Sequence, residues 1–541
     1  MTKAVLPRFF LLILIWIMAC APLPVDSGPE PVAAPAATFT PFQPGPASAT
    51  EIPNSLWVDP LIPEKLRVTI KGNGVLLAES KEKATIWLES APKSSGGLPK
   101  IVWHYALVAA FPTVRDGIAF SELKAAWNGN GQGLLMTEST YGAMKTVFGG
   151  EASPDVEIVP AAGLTEALWQ NRSQWGIVPF EQLNPKLKVL EIDGQSPVHK
   201  EFDPESYPLK AFFRLNPPVF ALPPSNRDPE KLTTVLMTGT TALVRAISFK
   251  MQQNGVYYPA GGIGAWLRGA DILHISNEVS FTPDCPPPAL ADGHLRFCSA
   301  PDNIGLLEAV GADVIELTGN HLNDWGQPAL LGTLEMYRQR GWATFGGGVN
   351  EAAARQPAMI ERGGVKFAFL GCNAPGPDFT WATADGPGAA PCDDYDWLVA
   401  EIRQLKAEGC VVMVGLQHYE YYTPEPRPNQ LTDFRRLAEA GADVVSGSQA
   451  HYSQSLEFSQ GAFIHYGLGN LFFDQMGYDY ADGSRTTNTR HEFLDRHVFY
   501  DGKLVSTELL TAMLEDYSRP RPMTAEERES FLKEYFAASG W

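Results

Sequence analysis

Three apolar runs in the second half of the chain each end in a histidine, and this pattern constrains the fold more than any other feature. The first run ends in Gly-Asn-His at residues 319–321, where the glycine lets the main chain turn sharply. The other two end at His418 and His451. Runs of this kind are typical of buried strands, and ligands bind at the carboxyl ends of strands in open α/β sheets. The sequence therefore predicts a metal or phosphate site at one sheet edge.

The same region alternates apolar runs with helical segments. Two earlier runs cover residues 233–238 and 270–276, and Glu278 follows the second. Helical segments separate the runs at residues 303–310, 329–340, 394–408 and 430–440. Repeated strand–turn–helix units indicate a mostly parallel or mixed sheet that is layered by helices. We therefore expect an α/β domain here.

The first half of the chain predicts a second, smaller α/β domain, over residues 51–225. Apolar runs predict strands at residues 68–70, 84–88 and 101–110, and Ser121 is expected to cap a helix. Because 541 residues are too many for one ordinary core, two domains are expected. The proline-rich residues 223–229 mark the linker, and the C-terminal domain is expected over residues 226–541.

Residues 1–20 have the pattern of a targeting segment. A basic start is followed by an apolar core that is short for a membrane span, and Cys20 follows a small residue. This end resembles the lipobox of bacterial lipoproteins, in which Cys20 becomes the lipidated N-terminus; an ordinary signal peptide or an anchor helix is the alternative. Residues 21–50, rich in proline and alanine, predict a disordered tether. We expect an extracytoplasmic lipoprotein that its lipid alone anchors to the membrane.

Five cysteines follow the targeting segment. Cys285 and Cys298 flank a polar, proline-rich loop. Cys372 and Cys392 bracket a loop rich in glycine and proline, so both pairs are disulfide candidates in an oxidising compartment. Cys410 begins an apolar run and is expected to be a buried thiol. Spacing alone does not fix the connectivity, so other pairings remain open.

The formal net charge of −19 argues against binding to nucleic acid or to an anionic membrane surface. We therefore expect no nucleic-acid partner.

The order of motifs over residues 232–480 resembles the CapA-type poly-gamma-glutamate capsule synthesis proteins. The matching segments are residues 318–326, 346–350, 417–421, 441–447 and 465–474. The resemblance implies a calcineurin-like metallophosphoesterase fold, with metal ligands at the strand ends: Glu278, Asn320, His418 and His451. Mixed carboxylate, amide and imidazole ligands suit Mn, Fe or Zn.

The same resemblance gives His321 a catalytic role. In that fold this histidine faces the substrate, where it stabilises the transition state or protonates the leaving group. Asp324 is expected to orient His321 through a hydrogen bond. The alternative for Asp324 is an ordinary helix cap.

Two positions depart from the family pattern. The family has Gly-Asp after the first strand, whereas here Gly239 is followed by Thr240, which offers no carboxylate. The family's Gly-x-His-Pro-His is Gly-Ser-Gln-Ala-His here, so Gln449 replaces an imidazole. A site for two metal ions is expected to be weakened by both changes.

Several of these residues have structural alternatives. Glu278 has the alternatives of a helix cap or an ion pair with Arg245. His418 begins the loop at residues 418–422, which is aromatic and acidic and is also typical of a groove for carbohydrate or peptide. Asn470 either reaches the site or holds its own turn.

Parts of the N-terminal region resemble the phosphate-type periplasmic solute-binding proteins. The matching segments are residues 108–112, 123–129, 175–180, 189–197 and 207–209. The resemblance implies strands and loops around a cleft between two lobes. The sequence has no Ser/Thr/Gly anion-binding loop at its start, so a module for docking or sensing is the alternative to a working receptor.

The sequence thus predicts a surface lipoprotein of the CapA family that acts on or handles an envelope polymer, poly-gamma-glutamate or polysaccharide, as a metal-dependent phosphoesterase-like hydrolase. The alternative is a non-catalytic lipoprotein that binds a polymer or ligand through a degenerate metal site. The expected partners are the polymer and the capsule biosynthesis machinery. A third hypothesis, a solute receptor, rests on the N-terminal region alone.

Overall fold

The structure, a computed structural model, describes residues 54–71, 74–92, 100–290 and 295–541. The predicted targeting segment with Cys20 and the tether at residues 21–50 lie outside the described residues. In the described ranges, no helix is long and apolar enough to cross a membrane. Residues Asn54–Trp541 form one compact unit, and the expected boundary near residue 225 stays a prediction.

The first part of the unit is built on a ten-stranded sheet. Its strands are β1 (Ser55–Val58), β2 (Leu76–Leu77), β3 (Ile86–Ser90), β4 (Ile101–Ala110), β5 (Gly117–Ile118), β6 (Leu134–Met136), β7 (Glu157–Ile158), β8 (Trp175–Pro179), β9 (Leu187–Ile192) and β10 (Lys210–Asn216). The accompanying helices are α1 (Glu64–Lys71), α2 (Phe120–Trp127), α3 (Glu138–Phe148) and α4 (Leu164–Gln170). The order is β2-β1-β3-β10-β4-β8-β6-β7, with β9 pairing to both β4 and β5.

Two local predictions for this part were wrong. Residues 68–70 lie in α1, because Leu66 and Ile70, four residues apart, both turn to the buried face of a helix. Ser121 does not cap α2: the N-cap is Ala119, and Ser121 lies in the first turn. In both places a local side-chain preference is overridden by the packing of a whole element.

The second part has nineteen described strands and eight described helices. The strands are β11 (Leu232–Thr238), β12 (Thr240–Thr241), β13 (Ile272–Asn277), β14 (Val314–Glu316), β15 (Ala343–Phe345), β16 (Gly347–Gly348), β17 (Ala358–Arg362), β18 (Val365–Asn373), β19 (Gly388–Ala389), β20 (Val411–Gln417), β21 (Val444–Ser446), β22 (Leu456–Ser459), β23 (Ala462–His465), β24 (Asn470–Phe472), β25 (Tyr478–Asp479), β26 (Arg485–Thr486), β27 (His491–Tyr500), β28 (Lys503–Glu515) and β29 (Arg519–Pro522). The helices are α5 (Arg245–Asn254), α6 (Gly264–Arg268), α7 (Gly305–Val310), α8 (Gln327–Arg340), α9 (Glu351–Ala354), α10 (Asp396–Ala407), α11 (Pro428–Ala440) and α12 (Ala525–Ala538).

Fifteen of these strands form two mixed sheets rather than one, and the other four pair as β16 with β19 and β25 with β26. The nine-stranded sheet runs β15-β14-β13-β11-β27-β28-β29 with β12 and β24 at its side, and the six-stranded sheet runs β17-β18-β20-β21-β23-β22. Strand β20 shows how they stack: Val411 and Met413 pack in the core between the sheets, whereas Val412 and Val414 pack under α10 and α11. A strand buried on both faces has a continuous apolar run, which is why these strands were visible in the sequence.

Helices cover the outer face of each sheet. Helices α5 to α8 pack on the nine-stranded sheet, and α10 and α11 pack on the six-stranded sheet. The second part is therefore a helix–sheet–sheet–helix sandwich. The predicted fold class, a layered C-terminal α/β domain preceded by a smaller α/β domain, is confirmed.

Both disulfide candidates form. Cys285 pairs with Cys298, and Cys372 pairs with Cys392. Cys410 is a buried free thiol, as expected.

A carboxylate lies in the layer between the two sheets. Glu316, at the end of β14, is fully buried. One of its oxygens accepts hydrogen bonds from His274 Nε2 at 2.9 Å and from the Ser448 hydroxyl, and the other accepts from the Thr318 hydroxyl at 2.6 Å. Because Ser448 follows β21, Glu316 joins the nine-stranded sheet to the six-stranded sheet.

Gly415→Ala tests this junction. A Cβ added at Gly415 of β20 would lie 2.6 Å from a Glu316 carboxylate oxygen, so the carboxylate has to move. We expect the free energy of unfolding, measured in urea, to fall by about 1–3 kcal/mol. The matched control is Gly332→Ala in α8, where nothing lies within 4 Å of the added Cβ and a gain of about 0.5–1 kcal/mol is expected. Unchanged stability of the Gly415 variant would contradict a fixed Glu316.

An ion pair links the first sheet to the second part. His199 Nε2 lies 2.6 Å from Glu508 of β28, and Nδ1 lies 3.7 Å from Glu191 of β9. Burial acts to lower the pKa of His199, but the hydrogen bond to Glu508 and the charges of both carboxylates outweigh burial and raise it.

The raised pKa of His199 predicts how stability depends on pH. The folded pKa exceeds the unfolded value of about 6.5, so the contribution is complete below that pH and is lost as pH rises through the folded pKa. We expect the gap in urea midpoint between the parent and His199→Gln to narrow as pH rises above 6.5. His491→Gln is the control: burial lowers the pKa of His491 to about 4, so its gap changes only below pH 6.5. A constant gap for the His199 variant from pH 6 to 9 would contradict the assignment.

Candidate functional site at the strand ends

The site lies where strand ends of both sheets meet. The predicted single sheet edge was wrong, because His321 follows β14 of the nine-stranded sheet whereas His418 and His451 follow β20 and β21 of the six-stranded sheet. The facing edges are joined by hydrogen bonds: the Thr240 hydroxyl donates to the Ser448 main-chain oxygen at 3.0 Å. The strand ends thus converge across the interface between the sheets.

Glu278 is a fully buried carboxylate at this edge. Its exposed fraction is 0%, and neither carboxylate oxygen accepts a hydrogen bond from any described residue. Gly319 packs directly against it, since a Cβ at that glycine would lie 2.5 Å from the Glu278 Cα. Burial raises the pKa of Glu278, and the charges of His451 and His321 oppose the rise.

The expected alternatives for Glu278 do not occur. Arg245 pairs instead with Asp474, whose Oδ2 lies 3.1 Å from the arginine Nε. No described helix begins at Glu278, which directly follows β13. The residue therefore presents an unpartnered carboxyl group to the strand-end site.

His451 faces Glu278 in a fixed orientation. The Nε2 atom of His451 lies 3.6 Å from a carboxylate oxygen of Glu278 and 3.7 Å from one of Glu420. Its Nδ1 donates to the Asn470 side-chain oxygen at 2.8 Å. The Asn470 amide nitrogen is turned away, towards the Thr489 main-chain oxygen at 3.0 Å, and this fixes which end of the amide faces the ring.

His321 is held by Asp324, as expected. His321 Nδ1 lies 2.7 Å from Asp324 Oδ2, which also accepts from the Phe297 main-chain N–H at 2.7 Å. Asp324 is not a helix cap, because Gly326 occupies that position before α8. Burial acts to lower the pKa of His321, but Asp324 and the charge of Glu278 outweigh it and raise the pKa.

The remaining two predicted ligands are His418 and Asn320. His418 Nε2 lies 2.9 Å from Asp433 of α11, which also accepts from the Tyr395 hydroxyl at 3.2 Å. The Nδ1 atom of His418 is buried, and no described residue bonds to it. The side-chain oxygen of Asn320 is likewise buried and accepts no hydrogen bond from the described residues.

Both departures from the family pattern have structural roles. Thr240 donates its hydroxyl across the sheet interface, and the Gln449 amide nitrogen donates to the Ser276 hydroxyl at 2.8 Å. Both side chains are fully buried. Hydrogen bonds therefore occupy the two positions where the family carries an aspartate and a histidine.

Sequence reasoning missed Glu420 as a site residue. One of its carboxylate oxygens faces His451, and the other accepts from the Tyr422 hydroxyl at 2.8 Å. The only sequence signal for Glu420 was its position two residues after His418, in a loop that is also typical of a groove for carbohydrate or peptide. The supporting role of Glu316 between the sheets was missed as well.

The strand ends carry unsatisfied polar atoms but no assembled cluster of metal ligands among the described residues. Among the described residues, no group of three or more histidine, cysteine, aspartate or glutamate side chains is assembled to hold an ion. The unsatisfied atoms around the strand ends nevertheless include acceptor-only oxygens, on Glu278, Asn320 and Gln449. His451 Nε2 has a carboxylate on two sides, at 3.6 and 3.7 Å. These are oxygen and nitrogen lone pairs of the kind that bind a divalent ion.

The fold and this site are those of a layered α/β protein whose polar site lies at the carboxyl ends of its strands. Residues 234–475 match the family of the bacterial capsule synthesis protein PGA_cap. The chain is also similar to the capsule biosynthesis protein CapA of Bacillus anthracis, with 24% identity over 56% of this chain and 72% of that protein. Over this segment the chain is thus similar to CapA-type capsule synthesis proteins.

Two further similarities are weaker. The PGA biosynthesis protein CapA of Bacillus subtilis (strain 168) is 26% identical over 34% of this chain and 49% of that protein. An ABC-type phosphate transport receptor from Vibrio cholerae is 11% identical over 30% of this chain and 85% of that chain, with a TM-score of 0.25. A TM-score this low does not establish a common fold, and the solute-binding resemblance of the N-terminal region stays a prediction.

The contact between His451 and Asn470 predicts a tautomer. Since Nδ1 donates to the Asn470 oxygen, ¹⁵N NMR of the neutral ring is expected to show Nδ1 protonated and Nε2 bare. Asn470→Ala removes the acceptor and is expected to shift the ring towards the Nε2-protonated form. Asn488→Ala, whose amide contacts Glu534, is the control and leaves the tautomer unchanged. An Nε2-protonated ring in the parent would contradict this geometry.

Proposed function

We propose that this protein is an extracytoplasmic lipoprotein that processes an acidic envelope polymer, poly-gamma-glutamate or polysaccharide, with one divalent cation bound at Glu278. The observation that carries the proposal is the fully buried Glu278 carboxyl group, which has two unpartnered oxygens and faces His451. A buried carboxylate without donors is costly unless a cation or a proton compensates it.

The cation is Mn, Fe or Zn by the chemistry of the donors. Glu278, Glu420 and His451 supply carboxylate oxygens and one imidazole nitrogen, and the amide oxygen of Asn320 is of the same hard character. Asn470 holds the bare Nε2 of His451 towards the carboxylates, which is the support that a metal-binding histidine requires.

The chemistry follows from these contacts. A divalent ion held by Glu278 and His451 would supply polarisation of a phosphoryl or carbonyl oxygen of the substrate. His321 holds a proton on the ring that faces Glu278, and Asp324 fixes its orientation. The raised pKa of His321 favours its protonated form, which can donate a proton to a leaving group.

The aromatic loop suits a polymer. Tyr422 stacks on Tyr478 with ring centroids 3.7 Å apart, and its hydroxyl donates to Glu420. Tyr419, in the same loop, is 48% exposed. Flat rings beside the site cover the apolar faces of polymer units. The chain's charge of −19 repels a polyanion, so a bound cation supplies the local attraction.

The second candidate is a lipoprotein that binds the polymer without cleaving it. The hydrogen bonds of Thr240 and Gln449 favour this candidate, because they occupy two positions that a two-ion site needs. The partners in both cases are the polymer and the capsule biosynthesis machinery, which the family membership supports.

Elemental analysis tests the cation. The chain purified without chelator is expected to hold about one equivalent of Mn, Fe or Zn, which Glu278→Gln loses, because an amide offers no negative charge. The matched control is Glu492→Gln: Glu492 is also fully buried with two unpartnered oxygens, and burial alone raises its pKa. Metal that is absent from the parent, or retained in the Glu278 variant, would refute the cation site.

Hydrolysis separates the two candidates. The metal-loaded chain is expected to hydrolyse bis-p-nitrophenyl phosphate and to shorten poly-gamma-glutamate, and His321→Ala to slow both by about 100-fold or more. His418→Ala is the comparison variant. It removes a second buried histidine, whose ring contacts Asp433. A loaded parent that binds the polymer and cleaves neither substrate would establish the binding protein instead.

A further inference from the structure

A second cavity lies away from the strand-end site. It has a volume of about 320 Å³, within the range of small-molecule pockets. Its walls come from β9 and the segment after β4 on one side and from β28 and α12 on the other, so it lies between the first sheet and the second part. None of the strand-end site residues lines it.

Charged side chains line the cavity from both sides, in two clusters. Asp116 lies 2.7 Å from Lys188 Nζ, and the Arg528 guanidinium donates to it at 3.1 and 2.7 Å. Glu508 faces His199 at 2.6 Å and Arg496 at 3.2 Å. The Asp116 cluster therefore holds two cationic side chains for one carboxylate.

With His199 protonated, four cationic side chains line the cavity beside three carboxylates. The fourth cation is His199, whose pKa is raised, and the third carboxylate is Glu191, 3.7 Å from that ring. Burial and, further, the charge of Arg528 lower the pKa of Lys188 to about 8, although Asp116 opposes the shift. The Nη1 atom of Arg528 is buried without a hydrogen-bond partner among the described residues.

The rest of the lining includes apolar side chains. Phe111, Leu532 and Phe536 are among them, together with Val189 and Met523. All five side chains are buried. A ligand that satisfies both kinds of lining carries an anionic group and an apolar body.

We propose that this cavity binds a small organic carboxylate with an apolar or aromatic body. The carboxylate lies against Arg528, whose Nη1 has no partner among the described residues, and Arg496, where a planar anion matches the guanidinium donors. The apolar body packs against Phe111 and Phe536. The proposal does not depend on the cation at Glu278, since the two sites share no residue.

Calorimetry on the full chain in detergent tests the proposal with 3-phenylpropionate as the probe. Saturable binding is expected for this carboxylate and none for 3-phenylpropylamine, which has the same body and the opposite charge. Arg528→Gln is expected to weaken binding about tenfold or more, because it removes a charged donor. Lys533→Gln is the control on the same helix, since Lys533 pairs with Glu529 and does not line the cavity.

A cavity-filling variant keeps the test decisive if Arg528→Gln fails to fold. Val189→Phe places a ring in the cavity without changing its charge, so binding is expected to be lost while a thermal melt still shows a folded protein. Equal binding of the amine, no binding of the carboxylate, or full binding by a folded Val189→Phe chain would overturn the proposal.

Discussion

The strand-end site depends on the buried carboxylate of Glu316, which fixes one sheet against the other. Its hydrogen bonds to His274 and Thr318 stay within the nine-stranded sheet, and its bond to Ser448 reaches the six-stranded sheet. Ser448 in turn accepts the hydrogen bond from Thr240. A buried acceptor is costly to leave unsatisfied, so the network permits little sliding between the sheets. Residues that are far apart in the chain are thereby held at one edge.

On this frame the site combines two held histidines with one unpartnered carboxyl group. Asp324 orients His321, and Asn470 orients His451, so both rings are fixed from behind by a hydrogen bond. Glu278 feels the charges of both rings, but its carboxyl oxygens accept no hydrogen bond from the described residues. Such an imbalance is found where a ligand completes the arrangement, because perturbed carboxyl groups in clefts cluster at functional sites. The side chains of Thr240 and Gln449 make structural hydrogen bonds at the rest of this edge, so fewer groups remain there for catalysis.

Much of the fold was visible in the sequence because its strands are buried on both faces. Residues 101–110 were predicted as a strand and form β4, and the two disulfides join the candidate pairs, although spacing alone left other pairings open. The pairing of strands into two sheets was not visible, because long-range pairing leaves no local period. The strand prediction for residues 68–70 was wrong, because the β-branched run there lies in a helix. Glu420 was missed because the path of a loop in space decides which of its residues reach the site, and sequence spacing does not encode that path.

The most direct test of this account is X-ray anomalous scattering at the zinc edge, from crystals of the chain grown with zinc. The account predicts a single peak at the strand ends, about 2 Å from a Glu278 carboxylate oxygen and from His451 Nε2. A second peak beside Thr240 and Gln449 would show that two ions bind, and would contradict the inference that these two residues weaken a two-ion site. No peak at Glu278, with zinc found elsewhere or nowhere, would contradict the central claim.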